Sequence, residues 1–483
     1  MHFSVLYTVH ILLFVNVDKS SASSAFRPNC TRPPNGVNFV YKADIRATLD
    51  ILWSCLFTLL VCTWTVQHLN IPDQSIVEGE APPKRPLRQQ FYAWARTKWS
   101  HFVPKLKWML LTLLLPEFLL GKGFQDRILA GRSQRKMQSF AETDGVEWTL
   151  THSFYANMGG FVLKAKERHI KSNSEEASFQ KVYIFLDAER LYLARGGDKS
   201  VLHKPILEHL PSITQDEIDD KSKGDFFIKA TALVQVLWLL IQVIIRAARG
   251  LVVSQLEIVV LAYSVCTIIT YLLCWSKPQG TQIPTVIRLP KPVIVDLFSD
   301  EGYSYLTRGR PRSWFATSLR LFRFQRLYSK MSTESVSTVD RTDCLHPLPN
   351  DGRYGKASSL LLPKEALQTL LDDGFVIGGL VFGALHCSAW NFPFPTPAER
   401  LLWRIASTLS TGVVPLYYMV LLYDFHVKRF QSLRSYLWVI EGIVMLSYTL
   451  ARLYLLVEVF RSLCFLPPEA FLATWTQQIP HVS

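Results

Sequence analysis

Apolar residues in this chain fall in long blocks, and the blocks set its organisation. Six of them read as membrane-crossing helices: 48–68, 230–246, 251–275, 375–391, 405–423 and 436–460. Most approach the ~20 residues a helix needs to cross ~30 Å of hydrocarbon. A further run, Trp108 to Leu120, has only 13 residues and carries Pro116 and Glu117 near its end. A proline and a carboxylate in so short a run predict an interfacial or re-entrant helix, with a true short span as the alternative. At the start, Phe3 to Val17 is apolar and Ser20 to Ala25 is rich in small residues, the pattern of a signal peptide cut after Ala25. Its leading residues include His2 but no Lys or Arg, so an uncleaved anchor is the competing reading.

Between the blocks the pattern changes. Residues 121–228 are polar enough for a folded unit outside the membrane. Within it, Trp148 to Leu163 and Lys181 to Arg195 are rich in aromatic and β-branched residues, and Val182 to Leu186 predicts a buried strand. Gly196-Gly197-Asp198 predicts the turn after it. Thr214 and Glu217 have capping-box spacing and predict a helix start. In Arg308 to Lys330, Trp314, Leu321, Phe322, Phe324 and Tyr328 fall on one side of a helical wheel. Arg312, Arg320, Arg323, Arg326 and Lys330 fall on the other, and Leu319 and Leu327 are out of place. That is a helix lying on an anionic membrane surface. Residues 331–358, rich in Ser, Thr, Asp and Gly, predict a flexible loop.

The fold expected is mainly α: a polytopic helical membrane protein with about six spans, an interfacial helix and a small cytosolic α+β region. Its parts are a signal peptide (1–25), a lumenal segment (26–47), and the first span with a basic loop and the interfacial helix (48–120). The α+β region (121–228), a two-helix membrane hairpin (229–275), a basic loop (276–374), a three-span bundle (375–465) and a lumenal tail (466–483) follow. The orientation rests on Lys and Arg being enriched in cytoplasmic loops. Lys84 to Lys107 supplies seven cations after the first span, and Lys428, Arg429 and Arg434 mark a second inside loop. The N-x-Ser/Thr sequon at Asn29 then falls on the lumenal side, where glycosylation occurs.

Composition agrees with this picture. Of 483 residues, 49% are hydrophobic and 19% charged, with a net charge of +13. A disordered chain, a collagen and a disulfide-dense secreted module are excluded. The surplus of cations points to anionic lipid at the cytosolic face as a partner. It does not point to nucleic acid, because no fold motif for that accompanies the charge.

Ionisable residues inside spans are costly and imply partners. Counted at ~1.5 Å per residue, Glu257 and Arg452 come out at about the same depth, which predicts an intramembrane ion pair. Glu441 and Glu458 lie nearer the ends of the last span and reach headgroups. His386-Cys387 is a candidate metal or catalytic pair, but adjacent helical residues diverge by ~100°, so a buried, hydrogen-bonded histidine is the simpler reading. Asp216, Glu217, Asp219 and Asp220 either hold a Mg²⁺ ion or serve a helix N-terminus; the absence of a second acidic cluster favours the helix role. Of eight cysteines, Cys30 and Cys464 are the lumenal ones and predict one disulfide. Gly374, Gly378, Gly379 and Gly383 predict close helix packing. No phosphate loop, dinucleotide fingerprint, nucleophile elbow or zinc-protease motif is present. No catalytic residue, metal site or cofactor is assigned.

Several stretches carry a family resemblance. They are Arg46 to Cys55, Trp148 to His152 with Met158 to Gly160, Asp220 to Asp225, Leu289 to Pro292, His386-Cys387 with Trp390, and Arg452 to Glu458 with Leu466 to Pro468. The chain resembles a large family of fungal multi-pass membrane proteins with no assigned activity. The resemblance implies an accessory role beside the biosynthetic enzymes of secondary metabolism. Three functional classes follow. The first is a non-enzymatic accessory or scaffold protein. The second is a metabolite or ion transporter, motivated by Glu257, Arg452 and Glu441. The third is a membrane enzyme on a lipid or isoprenoid, with His152, His386 and the Asp216 to Asp220 cluster as its candidates. Localisation in each is a membrane of the endomembrane system or the plasma membrane.

Overall fold

The computed structural model describes residues 46–72, 87–170, 177–197, 205–222, 226–289, 294–295, 312–313, 350, 352–353, 364–426 and 434–474. The chain divides into two units, Met1–Asp44 and Ile45–Ser483. The signal segment and Asn29 lie outside the described residues.

The second unit is mainly helical. Helix α1 is Thr48–Thr65, α2 is Leu87–Leu114 and α3 is Pro116–Asp144. After them come α4 (Leu150–Asn157), β1 (Phe161–Ile170), β2 (Ala177–Leu186), α5 (Ala188–Ala194) and α6 (Gln215–Lys221). The hairpin α7 (Phe226–Ala248) and α8 (Gln255–Leu273) is followed by the short strands β3 (Thr285–Ile287) and β4 (Ile294–Val295). Helices α9 (Lys364–Cys387), α10 (Pro397–His426) and α11 (Arg434–Ser462) follow. Among the described residues three helices are long and apolar enough to cross a membrane: α1, α7 over Lys229–Ala248, and α8. The sequence pattern predicted six such crossings; among the described residues Gly374–Cys387 of α9 is a shorter apolar stretch.

The run from Trp108 to Leu120 is not one helix. It is divided at Leu115, whose backbone (φ −139°, ψ 66°) leaves the helical region immediately before Pro116. Pro116 has no N–H to donate, which suits it to open α3 rather than to continue α2. Helix α3 then continues for 29 residues, about 43 Å at 1.5 Å per residue. Gly145 closes it in the left-handed region (φ 66°), where its N–H reaches the carbonyl of Ala141.

This one helix joins two cores. Its first turns pack against α8 and α9, with Phe118 in a cluster with Trp108, Leu111 and Phe375. Its last turns, through Met137 and Ala141, belong to a core with Trp148, Tyr155, Phe161, Ile184 and Leu191. That second core is the expected α+β region. Strand β2 pairs antiparallel with β1, from Phe161 opposite Leu186 to Ile170 opposite Ala177. Strands β3 and β4, from a stretch expected to be loop, add parallel to β1.

The predicted strand Val182 to Leu186 lies within β2, and each of the two aromatic-rich stretches also holds a short helix. Thr149 opens α4 with a capping box, and Asp187 caps α5 by accepting the N–H of Arg190 at 2.9 Å. The turn at Gly196 (φ 91°) is present, after α5. Of the predicted basic surface helix, only Arg312–Ser313 is described, and it pairs as a strand with Gly352–Arg353.

Candidate functional site

Charged groups are buried at three levels of the helical unit. The deepest level is the one α3 creates. Glu117 is the second residue of α3, where the helix dipole favours a carboxylate, and it is fully buried. Its Oε2 accepts a hydrogen bond from Arg452 at 2.8 Å. Arg452 also donates through Nε and a terminal nitrogen to the Tyr448 hydroxyl, at 2.8 and 2.7 Å. Its guanidinium lies 3.9 Å from the centre of the Phe382 ring. Phe382 stacks edge-on against Tyr263 at 4.9 Å, and the Tyr263 hydroxyl caps the last turn of α2 by donating to Leu113 O. Glycines bring the backbones this close. A Cβ on Gly378 would sit 2.8 Å from that of Glu117, and one on Gly374 would sit 2.6 Å from the Cα of Gly121.

The second level is one end of the bundle. Glu257 completes a capping box with Ser254 at the start of α8. Its carboxylate receives Arg46 in a fork, at 2.6 and 3.2 Å. Arg46 also donates Nε to Ala470 O at 2.6 Å, and its N–H reaches Phe471 O at 2.9 Å. Arg246, at the end of α7, donates to Leu472 O at 2.8 Å, Ala470 O at 3.0 Å and Val252 O at 2.7 Å. Two arginines thus hold the turn Pro468–Phe471 that follows α11.

The third level is the opposite end, where the α+β region attaches. Asp126 of α3 receives Lys277 at 2.7 Å and also Lys122. Gln279 donates to Gln67 O at 3.0 Å, and Tyr271 to the Thr65 hydroxyl at 2.6 Å. Burial pushes His68 down to about 3, helped by the charges of Lys277 and Lys229. The backbone of Ile71 donates to Met158 O at 3.1 Å and so carries α1 into the second core.

Glu257 and Arg452 do not pair with each other. Glu257 is the third residue of α8, while α11 runs ten residues beyond Arg452. The two therefore differ in depth by roughly 10 Å at ~1.5 Å per residue, and each meets a different partner. Both partners, Arg46 and Glu117, lie in segments that the sequence pattern placed outside the spans. Cys464 is exposed, and Cys30, its expected disulfide partner, lies outside the described residues. Glu458 is 2% exposed beside Tyr454 rather than extended to a headgroup.

His386 donates from Nδ1 to Phe382 O at 2.7 Å, and Trp403 donates to its carbonyl at 3.2 Å. Cys387 Sγ lies near the Thr411 hydroxyl at 3.6 Å, away from the histidine's partners. His152 accepts the Thr149 N–H at Nδ1 (3.1 Å), so its Nε2 carries the proton given to Ile213 O at 2.9 Å. The four carboxylates of α6 are exposed, and Glu217 accepts the N–H of Thr214 in the expected capping box. Among the described residues no three His, Cys, Asp or Glu side chains gather where they would hold a metal ion.

A family profile described as a family of unknown function (DUF8562) matches residues 22–299. The chain belongs to that family. No curated protein matches the chain, and no solved structure does. The DUF8562 stretch contains Arg46, Glu117, Asp126, Arg246, Glu257 and Lys277. Arg452 and the carbonyls at 469–472 that complete two of the charged levels come from beyond it.

Proposed function

We propose that this DUF8562 member is a multi-pass membrane scaffold, a non-enzymatic accessory protein that mounts its α+β region rigidly on one face of the bilayer. The observation that carries the reading is α3. One unbroken helix starts at a carboxylate buried among α9 and α11 and ends at Asp144, inside the α+β region. There Asp144 accepts from Arg195 at 2.9 and 2.6 Å and from the Leu210 N–H at 2.8 Å. A mount of this kind transmits position and leaves little freedom between its two ends.

More than three crossings are supported by what α11 shows outward. Ile443, Leu446, Leu450, Leu453, Val457 and Phe460 recur every three or four residues and are 38–61% exposed. Water would penalise so long an apolar stripe, whereas lipid accepts it. Leu402, Ile405 and Leu416 on α10 are exposed likewise. With α9 these helices make the three-span bundle of a six-span protein. Anionic lipid at the cytosolic face is its expected surface partner. Biosynthetic enzymes of fungal secondary metabolism are the partners that the family resemblance implies.

One observation favours transport instead. Glu117 Oε1 is buried and has no hydrogen-bond partner among the described residues, so a passing cation or proton has an acceptor there. An alanine inserted after Arg132 separates the readings. It re-phases the α+β end of α3, from Ser133 onward, by ~100° relative to Glu117. In cells that depend on the chain, the scaffold reading predicts that the insertion variant enters the membrane yet fails to restore the metabolite profile. Full restoration would overturn it. Ion or metabolite flux through vesicles holding the purified chain, abolished by Glu117→Gln, would establish transport.

A further inference from the structure

The α+β region has an open groove of about 580 Å³, lined by Pro211, Ile213, Val286 and Ile287 and flanked by Glu217, Asp220 and Lys221 of α6. One wall is β3, the edge of the sheet. Thr285 donates its N–H to Gly160 O, in register with Phe161 of β1. In a parallel ladder, alternate residues bond to the same neighbour, so Thr285 and Ile287 face β1 and Val286 turns its N–H and C=O away from it. Val286 lines the groove, so those two groups lie on the sheet edge that borders it.

The opposite wall is held in place. His152 fixes the carbonyl of Ile213, Glu147 accepts the N–H of Gln215 at 3.3 Å, and Ser222 exchanges hydrogen bonds with the backbone of Gln279 at 3.0 and 3.2 Å. Helix α6 carries Asp216, Glu217, Asp219 and Asp220 against one Lys221, all four acids exposed. The groove therefore combines an open strand edge, an apolar floor and a strongly acidic flank.

We propose that this groove is a docking site for an extended, basic peptide segment of a partner protein. The segment adds beside β3 through the N–H and C=O of Val286. Its apolar side chains settle on Ile213 and Ile287, and its Lys or Arg side chains face Asp220 and Glu217. Main-chain pairing supplies affinity in such strand addition, and alternate side chains supply selectivity. The proposal rests on the scaffold reading and names what the scaffold holds.

The test uses the full chain in lipid nanodiscs and three fluorescein-labelled heptapeptides: Lys-Val-Lys-Val-Lys-Val-Lys, its Glu-for-Lys counterpart, and the Lys peptide with alternate backbone nitrogens methylated. Val286→Pro removes only an N–H that the sheet does not use, and proline is tolerated at such an edge, so the variant keeps its fold and its thermal midpoint. The Lys peptide is expected to bind saturably, and both N-methylation and Val286→Pro are expected to weaken it by about tenfold or more. Asp220→Lys should invert the preference toward the Glu peptide. No saturable binding of the Lys peptide, or binding indifferent to N-methylation and to Val286→Pro, would overturn the proposal. A chain that binds no peptide but fails in cells when α3 is re-phased loses the groove and keeps the scaffold. A chain that binds peptide but tolerates re-phasing loses the scaffold instead.

Discussion

Individual side chains in this fold are judged by what they would leave behind if removed. Asp144 accepts two bonds from Arg195 and one from the Leu210 backbone, and its carboxyl is drawn down to about 2, first by the Arg195 hydrogen bond. An unfolded aspartate titrates near ~3.9, so the folded pKa is the lower one. The stabilisation is therefore complete above about pH 4 and is lost as pH falls toward 2. Asp144→Asn should destabilise the α+β region by about 2–3 kcal/mol at pH 7 and flatten its unfolding between pH 4 and 2. Tryptophan fluorescence of Trp148 across an acid titration reads this; an unchanged acid transition would contradict it. The pairing of Asp144 with Arg195, 51 residues apart, had no sequence signal, because both are ordinary surface residue types. Glu257 did have one. Ser254-Gln-Leu-Glu257 is a capping box, and reading it as such would have placed Glu257 at a helix end rather than a turn and a half inside.

At the scale of elements, the decisive feature is the break at Leu115. The sequence pattern located Pro116 and Glu117 correctly as an anomaly in an apolar run. It treated them as the end of a short surface helix because neither hydropathy nor proline reveals that a polar helix of 29 residues begins there. The Gly374 and Gly378 stripe was legible as a close-packing face; its partner, α3, was not, since α3 is mostly polar beyond its first turns. The partner of Arg452 was missed for the same reason. Removing one member of a buried pair strands the other, at a cost of about 3–5 kcal/mol, whereas an apolar replacement of both is close to neutral. Arg452→Met alone should thus lower the thermal midpoint of the detergent-solubilised chain markedly. Adding Glu117→Leu should restore most of the loss, and adding Glu257→Leu should deepen it by freeing Arg46. Equal behaviour of the two double variants would contradict the assignment of partners.

For the whole molecule, the helical layers, the hairpin 226–273 and the strand Val182 to Leu186 were readable from periodicity, because each obeys one local period over many residues. The assembly of the sheet was not, since β3 and β4 come from a polar stretch 115 residues and more after β1. What unites the parts is polarity along the bundle. The α+β region meets the ends of α1 and α8 through Ile71 and Gln279, and the turn after α11 closes over Arg46 and Arg246 at the other end. The account therefore requires the two ends to face opposite sides of the membrane. Labelling with a membrane-impermeant maleimide tests this in sealed vesicles of one orientation. The probes are Cys464 and Ser212→Cys, each the sole cysteine of its chain. One probe should react only from outside and the other only after the vesicles are opened. Labelling of both from the same side would contradict the account.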